Sequence, residues 1–382
     1  MPDRRSDANR RHLRAGAILA ASVAASGVAL LPARAQETTP KSSPRAESGF
    51  EEIDAETRAA IDKGVEWLAA AQEASGRWGC DPVNWQMSIT ALSGLALLAH
   101  GDTPDTGRYS RQVKRAIEWI LRSQVERESC QPTNPTGLPS IYEGAFFDRG
   151  VVDGDDKVMH GHGFALLFLG EAYGQMSDPK LRERTHRAIA RGVRLTERTI
   201  SGDGGWFYKP EDFRDEGSVT VTQIQGLRSA RNAGISVDAK VVERAVEYIK
   251  KSQRPDGGVQ YMLRNGQTSP ALTAAGMEVL FGAGVYQGEA IDKGFAYLRR
   301  NLKYDDDDPS NKWFHYTHLY ASQAMFQRGG PEWESYFPRI RRELLNLKKG
   351  DAWESPYGKN YGTANALLIL ELPLRYLPIY QR

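Results

Sequence analysis

Cysteine is almost absent from this chain: Cys80 and Cys130 are its two, in 382 residues. A disulfide-stapled mini-scaffold and a cysteine-rich zinc module are thereby excluded. A surplus of charge is absent as well. Lys and Arg number 50 against 48 Asp and Glu, and residues 1–35 alone hold six Arg and two Asp, so the remainder has a net charge of −2. Bulk attraction to nucleic acid or to an anionic membrane is not encoded. Long apolar runs are missing too. The uncharged stretch from Ala15 to Leu31 is Ala-rich and short of the roughly 20 apolar residues that a membrane span needs.

That stretch reads instead as the middle of an export signal. Arg4, Arg5, Arg10, Arg11 and Arg14 precede it, and Ala33-Arg34-Ala35 follows as a small-residue cleavage site. The expected product begins at Gln36 and is periplasmic or extracellular. Arg10-Arg11-His12-Leu13 resembles a twin-arginine signal, and the ordinary secretory route stays open beside it. Residues 36–52, with Pro40, Pro44 and several Ser, form a flexible linker. Residues 53–382 are then one large domain.

What this domain has is repetition. Lys63-Gly64-Val65-Glu66-Trp67-Leu68 is followed by Gln72 and by Gly76-Arg77-Trp78. Arg244-Ala245, Tyr248-Ile249, Gln253 and Gly257-Gly258 repeat the pattern. Arg115-Ala116, Trp119-Ile120 and Gln124 repeat its first half, as do Lys293-Gly294 and Tyr297-Leu298. A period of this size signals stacked copies of one unit.

Residues 63 to 78 resemble, element for element, the glutamine-tryptophan repeat of squalene cyclases and protein prenyltransferases. The resemblance covers roughly residues 53 to 382 and implies an α/α toroid. Helical periodicity reaches the same architecture independently. Helices are expected near 56–73, 85–100, 109–126, 157–174, 178–199, 218–234, 238–253, 268–284, 288–302, 313–328, 331–346 and 360–372, in six pairs. The first helix of each pair has one apolar stripe; the second is apolar or small nearly all round. Six buried helices ringed by six amphipathic ones make an all-α fold, a single α/α toroid of six helical hairpins.

The inner helices begin with polar and aromatic residues that a toroid would gather at one mouth. The ligand-binding candidates are Trp85, Gln86, His160, His162, Thr220, Gln223, His315, Tyr316, His318 and Tyr361, with Ser218, Thr268, Ser269 and Thr363 at the same helix starts. Helix capping is the competing reading of each. His162, Asp215, Gln223, His315 and Tyr361 are expected to converge on the mouth. His160-x-His162 and His315-x-x-His318 lack the flanking acids or cysteines of a zinc site, so neither metal nor cofactor is expected. The Asp-x-Cys zinc pair of prenyltransferases has no counterpart at either cysteine.

Asp153-Gly154-Asp155-Asp156 matches the acid motif of squalene-type cyclases, where the resemblance implies a proton donor; Lys157 beside it suits a solvated loop equally well. Asp155, Asp215 and Glu143 are the catalytic candidates, with Glu216 a further acid to test. Asp305 to Asp308 should be exposed and dispensable. The connection at 127–156 is long and holds Ile141-Tyr142-Glu143-Gly144-Ala145-Phe146-Phe147, which suits a lid or wall over the mouth. Loops 204–208 and 353–357 should add aromatic surface. Cys80 and Cys130 fall in corresponding loops of adjacent repeats, either bridged or as separate thiols.

Three functions fit. The first is an exported toroid holding a lipid or isoprenoid-like ligand in its funnel. The second is an enzyme, either a diverged terpene cyclase or a polysaccharide-active barrel with paired carboxylates. The third is a protein-interaction scaffold. Oligomeric state is not legible.

Overall fold

The computed structural model describes residues 52–79, 85–130, 138–148, 157–305 and 313–381. The export signal, the linker up to residue 51, Cys80 and Asp153–Asp156 lie outside the described residues, as therefore do the Cys80–Cys130 pairing and the Asp155 candidate.

The odd-numbered helices α1 (Ala55–Ala70), α3 (Ser110–Arg122), α5 (Pro179–Arg198), α7 (Ala239–Ser252), α9 (Glu289–Asn301) and α11 (Pro331–Leu347) form the outer ring. Each buries one stripe, as Val113, Ala116, Ile117, Trp119 and Ile120 do on α3. The inner ring is α2 (Gln86–His100), α4 (Val158–Tyr173), α6 (Gly217–Asn232), α8 (Pro270–Gly282), α10 (Phe314–Arg328) and α12 (Lys359–Leu370). On α4 every residue from Val158 to Ala172 is buried. Each inner helix packs on the next, and α12 packs back on α2, so the ring closes. Among the described residues no helix is long and apolar enough to cross a membrane.

The repeat motif has a mechanical explanation. Gln72 Nε2 donates to the Gly76 carbonyl at 2.9 Å and to the Gln112 carbonyl at 2.9 Å, stapling its own turn to the next outer helix. Gln124 does the same to Gly144 and Ala188, and Gln253 to Gly257 and Ala290. Gly76 and Gly257 have φ of 101° and 93°, and a Cβ on either would collide with the carbonyl of Arg115 or Lys293 in the next repeat. Only glycine fits there.

After each such turn a large side chain plugs the space between the rings. Trp78, Trp206 and Trp353 are fully buried and donate their indole N–H to the carbonyls of Leu68, Thr196 and Leu344 at 2.7, 2.8 and 2.6 Å. Their backbone N–H groups go to hydroxyls on the inner helices, Thr90, Thr220 and Thr363, each at 3.1 Å. Thr273 serves Val259 in the same way at 3.0 Å, and Nδ1 of His162 accepts from the Phe146 N–H at 3.3 Å. His318 occupies the remaining position, bonding the Lys303 carbonyl at 2.8 Å. One anchor thus comes from each inner helix: Thr90, His162, Thr220, Thr273, His318 and Thr363.

Two elements depart from expectation. Short hairpins, β1 (Gln260–Met262) with β2 (Asn265–Thr268) and β3 (Lys348–Lys349) with β4 (Ala352–Trp353), interrupt two connections. The first turns at Leu263-Arg264, and Gly266 just after the turn has a φ of 125°. The segment 141–147 is the motif turn of its own repeat, displaced by an insertion, and its Phe146 and Phe147 are buried between the rings. Tyr142 fixes it by donating to Glu211 at 3.0 Å, and none of its residues lines the cavity described below, so it is neither lid nor wall there.

Candidate ligand-binding site

Residues two apart on a helix point to opposite sides, because each step turns the chain by about 100°. Since the anchors point outward between the rings, the residues two before them point to the axis. These are Ser88, His160, Ser218, Ala271, Tyr316 and Tyr361, one per inner helix, and all six line one cavity of about 200 Å³ at the N-terminal ends of the inner helices.

The loops above this ring supply aromatic walls: Trp85, Tyr208, Tyr261, Trp313 and Tyr357. Trp313 and Tyr357 stack with ring centroids 5.7 Å apart and planes 11° apart. Tyr357 also meets the edges of Trp85 and Tyr361 at 6.0 and 5.5 Å. The hydroxyls of Tyr208 and Tyr261 lie 2.6 Å apart, joining the loop before α6 to the β1–β2 hairpin.

Among the described lining residues Glu216 is the single carboxylate and Lys157 the single ammonium. Glu216 caps α6. Its Oε1 accepts from Ser218 N–H at 2.9 Å, and its Oε2 from Val219 N–H at 2.7 Å and from the Ser218 hydroxyl at 2.6 Å. Burial nevertheless pushes its carboxyl up to about 7, opposed by those bonds and by Lys157. His160 Nε2 lies 3.0 Å from the Ser218 hydroxyl, while its Nδ1 is buried with no hydrogen-bond partner. Burial, and then the charge of Lys157, lowers His160 to about 3, so the imidazole is neutral. The Lys157 ammonium sits over the faces of Trp85 and Tyr208, 5.0 and 5.2 Å from their centroids. The Tyr316 hydroxyl is buried, and Ser218 approaches it without completing a hydrogen bond.

Of the residues singled out from sequence, Trp85, His160, Tyr316 and Tyr361 line the cavity, as do Ser218 and Ser269. The others do not converge there. His162 and His318 are anchors: His162 Nε2 bonds the Gly192 carbonyl and the Thr196 hydroxyl at 3.2 and 3.1 Å, and His318 Nδ1 faces the Tyr336 hydroxyl at 2.9 Å. Thr220 is the anchor of Trp206. Gln223 is consumed by the Met159 carbonyl at 2.6 Å and the Thr196 hydroxyl at 3.1 Å. Gln86 is buried beside the cavity without lining it, and His315 lies behind Tyr361, its centroid 6.1 Å away.

The acids also divide. Asp215 turns from the cavity and accepts the Leu263 N–H at 2.7 Å, fixing the β1–β2 hairpin. Glu143 belongs to the segment 141–147, away from the cavity lining, where Arg198 bonds its carbonyl. Asp305 is exposed, and Asp306–Asp308 lie outside the described residues. Among the described residues no three His, Cys, Asp or Glu side chains are grouped to hold a metal ion. Tyr261 and Trp313 escaped sequence reasoning, and Lys157, expected beside a solvated loop, is half-buried in the cavity lining. Aligning the inner helices on their Thr or His anchors would have found the positions of Lys157 and Trp313, which both stand five before an anchor.

No family model matches this sequence. It is 26% identical over 286 residues to squalene–hopene cyclase of Alicyclobacillus acidocaldarius, a match covering 61% of this chain and 45% of that protein. In structure it is similar to the α-1,6-mannanase of a Salegentibacter species in complex with α-1,6-mannotriose, with a TM-score of 0.58 at 10% identity over 84% of this chain and 99% of the other. It is also similar to a type II terpene cyclase from Scytonema in complex with geranylgeranyl dihydroxybenzoate, with a TM-score of 0.54 at 14% identity over 86% and 100%. These likenesses are to the fold, and with the repeat joints above they give the chain a squalene cyclase-like α/α toroid fold.

Proposed function

We propose that this toroid acts outside the cytoplasm and binds an apolar ligand, a lipid or isoprenoid-like molecule, in the funnel at the N-terminal ends of its inner helices. The observation that carries the reading is the wall of aromatic rings around one carboxylate and one ammonium. Apolar linings with a few placed polar groups are what small-molecule sites share. The Scytonema cyclase, with its geranylgeranyl ligand, lends the reading support. Glycan cleavage calls for two facing carboxyl groups. Glu216 has no such partner among the described lining residues.

A second reading, a diverged cyclase, draws on one observation. A carboxyl held at about 7 still carries its proton near neutrality, as a general acid must. Glu216 would then act where the resemblance points to the Asp153–Asp156 motif.

Native mass spectrometry of the purified protein, followed by organic extraction, tests the binding reading. A copurified apolar molecule, or one taken up on incubation with a membrane-lipid extract, is expected. Failure to retain any apolar molecule in both trials would sink it. Export rests on the sequence of residues 1–35, and N-terminal sequencing of the secreted product should begin at Gln36.

A further inference from the structure

We infer that the funnel is a receptor for an organic ammonium ion carrying an apolar body. The inference rests on the reading of the funnel as a ligand site and names the charge of what enters it. Its starting point is that the cavity already holds an ammonium, that of Lys157, 5.0 Å from the Trp85 centroid and 5.2 Å from that of Tyr208. Cations within about 6 Å of an aromatic centroid are attracted by the ring's negative face, more so where water is excluded. Here the chain's own cation marks the favourable position.

The rest of the site favours positive charge. Glu216 lies in the same cavity, fully buried, and feels the Lys157 charge. His160 stays neutral and so adds no repulsion. Lys157 is the residue just before α4, half-buried, so a ligand ammonium would have to displace its head group from between the rings. With Lys157 withdrawn, an ionised Glu216 leaves the aromatic cavity one negative charge, which a ligand ammonium would neutralise between the same rings. An anionic head group would instead meet Glu216 in a dry site. A neutral hydroxyl would leave that carboxylate without a counter-charge.

Proton linkage distinguishes these ligands. The groups facing Glu216 are Lys157 and His160 from the start of α4, Ser218 on α6, Tyr208 and Tyr261 from the loops, Tyr248 on α7, and Tyr316 and Tyr320 on α10. The tyrosines are all pushed upward by burial and His160 downward, so Glu216 is the group among them that titrates near neutrality. A bound cation stabilises its ionised form and expels its proton. Affinity for an ammonium therefore rises as pH climbs through about 7 and levels off above.

The test is titration calorimetry of the full chain with decyltrimethylammonium, decanol and decanoate, each below its micellar concentration, at pH 6 and pH 8 in two buffers of different ionisation enthalpy. The ammonium should bind about tenfold or more tighter than decanol. It should tighten from pH 6 to pH 8 and release protons on binding at pH near 7. Lys157→Met should tighten it further, and Glu216→Gln should abolish both the preference and the proton release. Because Glu216 caps α6, the wild-type proton release and Lys157→Met carry the test if Glu216→Gln misfolds. Decanol binding as tightly as the ammonium, or decanoate binding tighter, overturns the inference and leaves the apolar-ligand reading standing. No binding by any of the three overturns both.

Discussion

The Ser218 hydroxyl stands 3.0 Å from Nε2 of His160. Because it also lies 2.6 Å from Glu216 Oε2 and has one proton to give, the charge on Glu216 decides which way that proton points. With Glu216 ionised, Ser218 donates to the carboxylate and His160 must carry its proton on Nε2. With Glu216 protonated, the chain of donors reverses and the His160 proton moves to Nδ1. Nitrogen-15 NMR of the imidazole should show this exchange of tautomers with a midpoint near pH 7. Ser218→Ala should remove the pH dependence; a tautomer unchanged from pH 5 to 9 in the native protein would refute the relay.

The anchors and the axial residues should separate cleanly in mutagenesis. His162→Ala opens a gap and leaves the Phe146 N–H unpaired, at a cost of about 2–4 kcal/mol, with ligand affinity unchanged. Tyr361→Phe and Ser88→Ala should do the opposite, changing affinity for the retained ligand at an unchanged melting temperature. Equal loss of stability in both sets would contradict the assignment of inward and outward faces.

Asp215 connects stability to the cavity through one bond, to the Leu263 N–H. Asp215→Ala should free the hairpin that carries Tyr261, so limited proteolysis should cut near Arg264 while the rest of the toroid resists. Unaltered proteolysis would mean that the Tyr208–Tyr261 contact suffices to hold it.

Deeper along the inner helices Glu278 is fully buried among Gln225, Gln327 and Arg228, and burial pushes it up to about 8. A carboxyl whose folded value exceeds its unfolded one of 4.5 contributes stability that is complete below 4.5 and is lost as pH rises toward 8. The slope over that window is about 1.4 kcal/mol per pH unit for one such group. Melting temperature should therefore fall between pH 5 and 8, and fall less in Glu278→Gln. A pH-independent difference between the two proteins would count against this.

The helices were legible because their periods and caps are local: Asp54 accepts from Thr57 N–H, and Asp178 from Lys180 and Leu181 N–H, as their sequence positions announce. The joint of the second repeat was not legible. An insertion carries Gly144 far from Gln124, which destroys the spacing while preserving the contact. The two histidine pairs misled for a different reason. Whether His160 or His162 faces the axis depends on the rotational phase of α4, and a single helix that is apolar all round carries no phase information. The phase is visible only across all six inner helices, where Thr recurs at four anchors. Asp215 and Glu216 pose the same problem at shorter range: both precede α6, and one reaches the cavity while its neighbour reaches the hairpin.

The packing of α12 on α2 has a consequence for how the molecule comes apart. An open stack of repeats loses its terminal units first, since each end has a neighbour on one side only. Here the two repeats farthest apart in sequence protect each other, so no repeat is cheaper to detach than the rest. Closing that seam requires the longest loop in the chain to be brought together, so it is expected to form late in folding and to join the hairpins into one cooperative unit.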